Sequence, residues 1–169
     1  MTKAYLFQPE KKVMKQGFFM TDENGNIVFE AKMLKQPLFG AMDFEFVNHL
    51  SGKTTSHKVG KTLTSQTEGQ LGSILSTKSR FEFDGKNIWD YLHEEGIRID
   101  SHLQGGKLGM SYTVSLKGQP IASITTSTPK GAGLITTRFF LEVTTDESNL
   151  DTAFLTAFAI ARTEQTFYN

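Results

Sequence analysis

The sequence predicts a mainly β protein of α+β type, in which an antiparallel sheet wraps around a C-terminal helix. One observation is a repeated unit of strand, polar glycine-containing turn and strand, which is typical of antiparallel sheets. The other is an apolar stretch near the C-terminus, Ala153–Ala161, in which only Thr156 is polar. With 169 residues the chain has the usual length of one domain, and we predict a single domain spanning residues 1–169.

Several segments are predicted to form β-hairpins, because each places a polar turn between stretches rich in aromatic and β-branched residues. In the clearest, residues 17–21 and 27–31 flank Asp22-Glu23-Asn24-Gly25-Asn26, and Asn-Gly tolerates the positive φ values of a tight turn. The second hairpin spans 43–59, with Phe44, Phe46 and Asn48 on one face. The third spans 110–126, and further strands are predicted at 4–7, 81–83 and 138–145.

A short helix is predicted in the segment that precedes Gly96. Ile88, Tyr91 and Leu92 have the i, i+3, i+4 spacing of one helix face, and Gly96 is expected just past the C-terminal end. We interpret Trp89 as an anchor that attaches this helix to the protein, rather than as a platform for a ligand.

A second helix is predicted from residue 150 to about residue 163. Ser148–Asp151 offer an N-cap and an acidic residue in the first turn, where the helix dipole favours negative charge. The helix is apolar nearly all round, whereas a surface helix has one apolar stripe. It is too short to span a bilayer, which takes about 20 apolar residues. We therefore expect this helix to be buried on every side by strands, within a closed or nearly closed antiparallel barrel.

The chain resembles the LURP-one-related proteins in three features. These are the hairpin Asp22-Glu23-Asn24-Gly25-Asn26-Ile27-Val28-Phe29, the later glycine turns, and the terminal segment Asp151–Ala161. These share the tubby C-terminal fold with tubby proteins and phospholipid scramblases, and the resemblance covers most of the chain. It implies a tubby-like β-barrel of twelve strands enclosing a hydrophobic C-terminal helix. Tubby proteins bind phosphoinositides through a basic pocket, but no residue of that pocket can be matched here. The helix around Trp89 and the long stretch 61–79 depart from the family pattern.

The overall composition excludes several classes of protein. Lys plus Arg equals Asp plus Glu, so no net charge attracts nucleic acid, and the absence of cysteine excludes disulfides and thiolate chemistry. The N-terminal residues have no apolar core of a secretory signal, and no apolar run is long enough for a transmembrane segment. We expect a cytoplasmic protein that is either free or peripheral at the membrane.

The charges are nevertheless unevenly distributed along the chain. Segments 48–80 and 101–141 are each basic, and segment 81–100 is acidic. If the two basic segments are neighbours, their cations form a face that suits a phosphate. The alternative is that these side chains keep strand edges solvated. The glycine-rich stretches 105–109 and 129–133 lack the spacing of a phosphate loop. The candidate ligand-binding residues are Lys53, Lys58, Lys61, Lys107, Lys130 and Arg138.

The four histidines show no metal-ligand spacing, so we predict neither a metal site nor a cofactor. His49 and His57 flank the second turn and would form a cross-strand pair if the register brought them opposite. The carboxylate pairs Glu82 with Asp84 and Glu94 with Glu95 are interpreted as solvated. No catalytic residue is assigned.

The leading functional hypothesis is a non-enzymatic binding or scaffold module. Its ligand is either an anionic lipid headgroup, phosphoinositide-like, or a protein partner. One alternative is an enzyme with His49, His57 or His102 as the base at the barrel mouth. Another is a purely structural or oligomerisation domain, and the oligomeric state stays open.

Overall fold

The computed structural model describes residues 2–10, 17–35, 41–62, 80–103, 110–127 and 140–163. They form one antiparallel sheet of eleven strands, with the order β7-β6-β5-β4-β3-β2-β1-β11-β10-β9-β8, and two α-helices. In chain order these elements are β1 (Thr2–Pro9), β2 (Phe18–Thr21), β3 (Ile27–Lys35), β4 (Met42–Asn48), β5 (Thr54–Thr62), β6 (Arg80–Phe83), β7 (Lys86–Asn87), α1 (Ile88–Glu94), β8 (Ile97–Leu103), β9 (Met110–Leu116), β10 (Gln119–Ser127), β11 (Phe140–Asp146) and α2 (Leu150–Thr163).

The predicted mainly β class and the three hairpins are confirmed. The hairpins are β2–β3, β4–β5 and β9–β10, and the buried face of β4 carries Phe44, Phe46 and Asn48 as expected. In the first turn the Asp22 carboxylate accepts hydrogen bonds from the backbone N–H groups of Asn24 and Asn26, each 2.9 Å long. These bonds, the one from Asn26 foremost, lower the pKa of Asp22 because they stabilise its charged form.

Strand β8 was not among the predicted strands. Ile97 and Ile99 alternate there with Arg98 and Asp100, and Ile97 is buried while Arg98 is exposed. This alternation is the usual signal of a half-buried strand. It is short and follows the predicted helix directly, so it does not stand out in the sequence.

The antiparallel order gives the sheet two different ends. At the turn end lie the short turns 22–26, 49–53 and 117–118 and the start of α2. At the connection end β1, β3, β5, β8 and β10 finish, and β2, β4, β6, β9 and β11 begin. Every stretch that joins one of these finishing strands to the next strand therefore starts and stops at the connection end.

A closed barrel is not confirmed, because among the described residues no hydrogen bonds join the two edge strands, β7 and β8. Helix α1 links these edges and packs against β6, β7 and β8 as well as α2. The segment that departs from the family pattern therefore lies between the two edges of the open sheet.

Helix α1 is attached through Ile88 and Leu92, each 1% exposed. Its N-cap is Asn87, whose side-chain oxygen accepts the Trp89 backbone N–H at 2.9 Å, and Gly96 follows its end with φ +79°. The interpretation of Trp89 as an anchor is wrong, because its side chain is 43% exposed. From helical spacing alone, the buried face of α1 could be the one that carries Trp89 or the neighbouring one that carries Ile88 and Leu92.

Helix α2 confirms the prediction of a buried C-terminal helix. Ala153, Phe154, Ala157, Phe158 and Ala159 have no exposed surface. The one polar residue in the apolar run, Thr156, donates its hydroxyl to the Thr152 carbonyl at 2.8 Å, which satisfies it inside the core. Ring centroids of Phe154 and Phe158 lie 4.1–6.5 Å from those of Phe7, Phe18, Phe29, Phe44, Phe46 and Phe83.

Asn48 joins the β4–β5 turn to the start of α2. It is 3% exposed, its Oδ1 accepts the N–H groups of Leu50 at 3.0 Å and Ser51 at 3.2 Å, and its Nδ2 donates to Asp151 at 3.3 Å. Asn48→Ala is expected to lower the free energy of unfolding by about 1–3 kcal/mol, because the turn loses the acceptor of two backbone N–H groups and the buried amide loses its bond to Asp151. Urea denaturation measures the change. Asn24→Ala, at an exposed turn position, is the matched control, and an equal loss in both variants would contradict this role.

Candidate functional sites

The predicted basic residues occupy different parts of the sheet. Lys53 is exposed at the turn end and Lys58 is exposed on β5, while Lys61 is the last residue but one of β5 at the connection end. Lys107, Lys130 and Arg138 lie outside the described residues, as do the stretches 63–79, 105–109 and 129–133. The fold therefore separates Lys53 from Lys61 by the length of β5.

The stretches that begin and stop at the connection end are rich in basic residues. Three of the predicted site residues belong to them, because β8 and β10 finish at that end and β9 and β11 begin there. In sequence, the segments that join these strands (11–16, 36–40, 63–79, 104–109 and 128–139) carry Lys11, Lys12, Lys15, Lys78, Lys107, Lys130 and Arg138 against Glu68. The turn end has the opposite balance, with Asp22, Glu23, Asp146, Glu147 and Asp151 against Lys3, Lys53 and Lys117.

Lys58 has acidic neighbours that its own sequence segment does not contain. It lies opposite Asp43 in the β4–β5 register, and its backbone N–H donates to the Asp84 Oδ1 at 2.8 Å. On β3, which is separated from β5 by β4, Lys32 pairs with Glu30 at 2.8 Å. The outer face of β3–β5 therefore carries charges of both signs.

His57 lies at the centre of a hydrogen-bonded group on β5. Its Nδ1 is 2.8 Å from the Asp84 Oδ2, and its Nε2 is 2.8 Å from the Thr55 Oγ1. The imidazole is stacked on the Phe83 ring, with centroids 4.5 Å apart, and lies 4.9 Å from the Phe46 ring. Only 17% of its side chain is exposed, so hydrogen bonds and aromatic packing both restrict its orientation.

Asp84 reaches His57 because β6 ends in a tight turn. Asp84 and Gly85 both have positive φ, 51° and 81°, as a two-residue hairpin loop requires. The Asp84 N–H donates to the Lys58 carbonyl at 2.8 Å. In return, the Lys58 N–H donates to the Asp84 carboxylate, which takes the place of the backbone carbonyl that a paired strand would offer. His57 and Asp84 border a pocket of 650 Å³ that is also lined by Leu34, Asp43, Phe44, Ser56 and Lys58.

The interpretation of Asp84 as one of two solvated carboxylates is therefore incomplete. Its partner His57 is 27 positions away, and no spacing rule connects them. The register does not bring His49 and His57 opposite each other, because His57 lies opposite Phe44, and His49 contacts Glu30 at 3.3 Å. His102 is exposed on the edge strand β8, opposite Ser111.

A second pocket lies where α1 meets β8. It has a volume of 380 Å³ and is bordered by the exposed indole of Trp89. Its other lining residues are Leu92, His93, Ile97, Arg98, Ile99, Ser101 and Tyr112. The Arg98 guanidinium at this pocket is engaged by Asp100, with Nε to Oδ1 at 3.2 Å.

In the ranges that the structure covers, no three histidine or carboxylate side chains lie close enough together to hold a metal ion. Within the same ranges, no helix has the length and apolar character needed to cross a membrane.

The described residues define a fold class, an antiparallel sheet that packs around a buried C-terminal helix. Comparison of the chain with protein-family models, with curated proteins and with solved structures finds no significant match. The resemblance to the LURP-one-related proteins therefore stays a prediction.

Proposed function

We propose that this protein is a non-enzymatic, tubby-like binding module of the LURP-one-related kind, which attaches peripherally to an anionic membrane from the cytoplasm. The observation that carries the proposal is the connection end, where β5 finishes just after Lys61, β8 and β10 finish, and β9 and β11 begin. In sequence, the segments between β8 and β9 and between β10 and β11 contain Lys107, Lys130 and Arg138. Each basic residue near an anionic membrane surface contributes about 1 kcal/mol of binding free energy.

The packing of α2 supports a surface role. Its side chains occupy the volume that the sheet encloses in the described ranges, with Phe154 and Phe158 fully buried. Small barrels that hold a ligand inside leave that volume empty. The contacts of α1 with strands near both edges of the sheet support a barrel-like enclosure, in which this helix covers the gap between β7 and β8.

The test compares two double variants that remove the same total charge. Lys107→Gln with Lys130→Gln removes two cations from the segments between β8 and β9 and between β10 and β11. Lys3→Gln with Lys53→Gln removes two from the turn end. We expect the first to weaken sedimentation with phosphatidylserine vesicles about 30-fold, at about 1 kcal/mol per cation. The second is expected to change it less than about threefold. The two ends are about 26 Å apart along the nine residues of β5, and charges are screened within about 8 Å at physiological salt.

Binding of the wild type should also weaken as the salt concentration rises. Equal losses in the two double variants would mean that total charge, and not the connection end, determines binding. If the wild type does not sediment with these vesicles at low salt, the membrane proposal is wrong. The remaining hypothesis is then that the basic stretches bind a protein partner.

A further inference from the structure

Strand β8 is the longer of the two edge strands of the sheet. It has seven residues, whereas β7 at the opposite edge has two, and within the described ranges β8 pairs with β9 alone. An edge strand presents a row of backbone N–H and C=O groups that have no ladder partner. Such an edge is where another extended chain can add to a sheet.

The β8–β9 ladder shows which residues of β8 point to the open edge. The Gly96 carbonyl, directly before β8, accepts the Lys117 N–H at 2.8 Å and therefore points to β9. Backbone groups alternate sides along an antiparallel strand, and the register of this ladder is regular from Ile97 onward. The N–H and C=O groups of Ile97, Ile99 and Ser101 therefore point away from β9, to the open edge.

Helix α1 leaves space beside these three residues. All of them line the 380 Å³ pocket between α1 and β8, which the Trp89 indole also borders. The seven residues of α1 span about 10 Å and the seven of β8 about 23 Å, so the helix cannot cover the whole edge. The exposed indole also leaves apolar surface at this edge that a partner would bury.

The outer face of β8 carries two charges of opposite sign, Arg98 and Asp100. Their side chains are 78% and 43% exposed, and the Arg98 Nε lies 3.2 Å from the Asp100 Oδ1. If two copies of β8 pair antiparallel about Ile99, Ile97 lies opposite the partner's Ser101, so edge-facing residues meet edge-facing residues. In the same register Arg98 lies opposite the partner's Asp100, and the four charges alternate in sign around a square.

Other registers of the same pair are less favourable. Centring the pair on residue 98 would place Arg98 opposite the partner's Arg98, and centring it on residue 100 would place Asp100 opposite the partner's Asp100. Like charges directly opposite each other destabilise a strand pair, whereas opposite charges stabilise it. The charges of β8 therefore favour the register about Ile99.

We propose that this protein forms a twofold-symmetric dimer in which the β8 strands of two copies pair antiparallel about Ile99. The contact is self-complementary, as the interface of a twofold dimer must be. It consists of one pair of short strands and belongs to the size class of weak interfaces, so the dimer is in equilibrium with the monomer. The proposal does not depend on the membrane-binding function, because none of the basic residues assigned to that function lies on β8.

The experiment measures the mass of the full chain by sedimentation equilibrium as its concentration is raised to about 0.5 mM, which covers weak association. We expect the wild type to pass from monomer to dimer. Arg98→Asp and Asp100→Arg should each weaken the dimer about 30-fold, because two cross-strand charge pairs become repulsive. An equimolar mixture of the two variants should dimerise like the wild type, since each supplies the charge that the other lacks.

Lys53→Asp is the matched control, because it reverses an exposed cation in the turn between β4 and β5. It is expected to dimerise like the wild type, and thermal unfolding shows that each variant is folded. A wild type that stays monomeric over the whole concentration range would overturn the proposal. So would a mixture of Arg98→Asp and Asp100→Arg that dimerises no better than either variant alone.

Discussion

Replacing Phe158 with aspartate is expected to leave no soluble folded protein. The Phe158 ring is fully buried, and its centroid lies 5.1 Å from that of Phe46 and 5.5 Å from those of Phe18 and Phe44. Removing a buried phenylalanine side chain costs about 3–5 kcal/mol. An unpaired carboxylate at the same place adds several more, and the whole stability of a domain is only about 5–15 kcal/mol.

The measurement is the soluble yield followed by thermal unfolding of any soluble fraction. Phe158→Leu is the matched control, and we expect it to cost about 1–2 kcal/mol while the protein still folds. A folded Phe158→Asp variant with the melting temperature of the wild type would mean that α2 is not enclosed by the sheet. The fold would then need a different core.

The second large effect is expected in α1. Leu92→Ala should lower the free energy of unfolding by about 2–5 kcal/mol, because Leu92 is 1% exposed and its truncation leaves a cavity. Trp89→Ala removes a larger side chain from the same helix and is expected to cost less than about 1 kcal/mol, because that side chain is 43% exposed. Urea denaturation of both variants measures the difference.

This pair tests whether α1 is part of the core or only attached to it. The Phe83 and Tyr91 rings, 4.9 Å apart, connect the helix to β6, and Leu92 lies beside them in the buried cluster. If Trp89→Ala costs as much as Leu92→Ala, the face of α1 that carries Trp89 packs against the protein, contrary to the structure. If neither variant loses stability, α1 does not contribute to the core.

Local signals account for the elements that could be predicted. The Asn24-Gly25 turn has a preferred geometry of its own, since Gly25 adopts φ +83° without a steric penalty. Helix α2 could be recognised as buried because its composition leaves no polar face. In β4 the two-residue period of Phe44, Phe46 and Asn48 shows which side faces the core. Each of these signals is contained in fewer than about fifteen consecutive residues.

The candidate sites depend on contacts between distant residues, which the sequence does not encode in any spacing. His57 and Asp84 meet because β5 and β6 are adjacent and β6 turns at Asp84. The strands that flank the basic stretches finish and begin at one end because of an antiparallel order that includes β8, a strand absent from the sequence prediction. Counting charges along the chain also omits the acidic residues that neighbouring strands place beside Lys58.

The sequence by itself determined the mainly β class, the positions of the hairpins and the burial of the C-terminal helix. The physical reason is that turn geometry and hydrophobic periodicity act over a few residues. Only the tertiary structure decided that α1 lies between the edges of an open sheet, that Trp89 is exposed, and that Thr55, His57 and Asp84 form one hydrogen-bonded group. These features follow from strand order and register, because register determines which side chains of distant segments face one another.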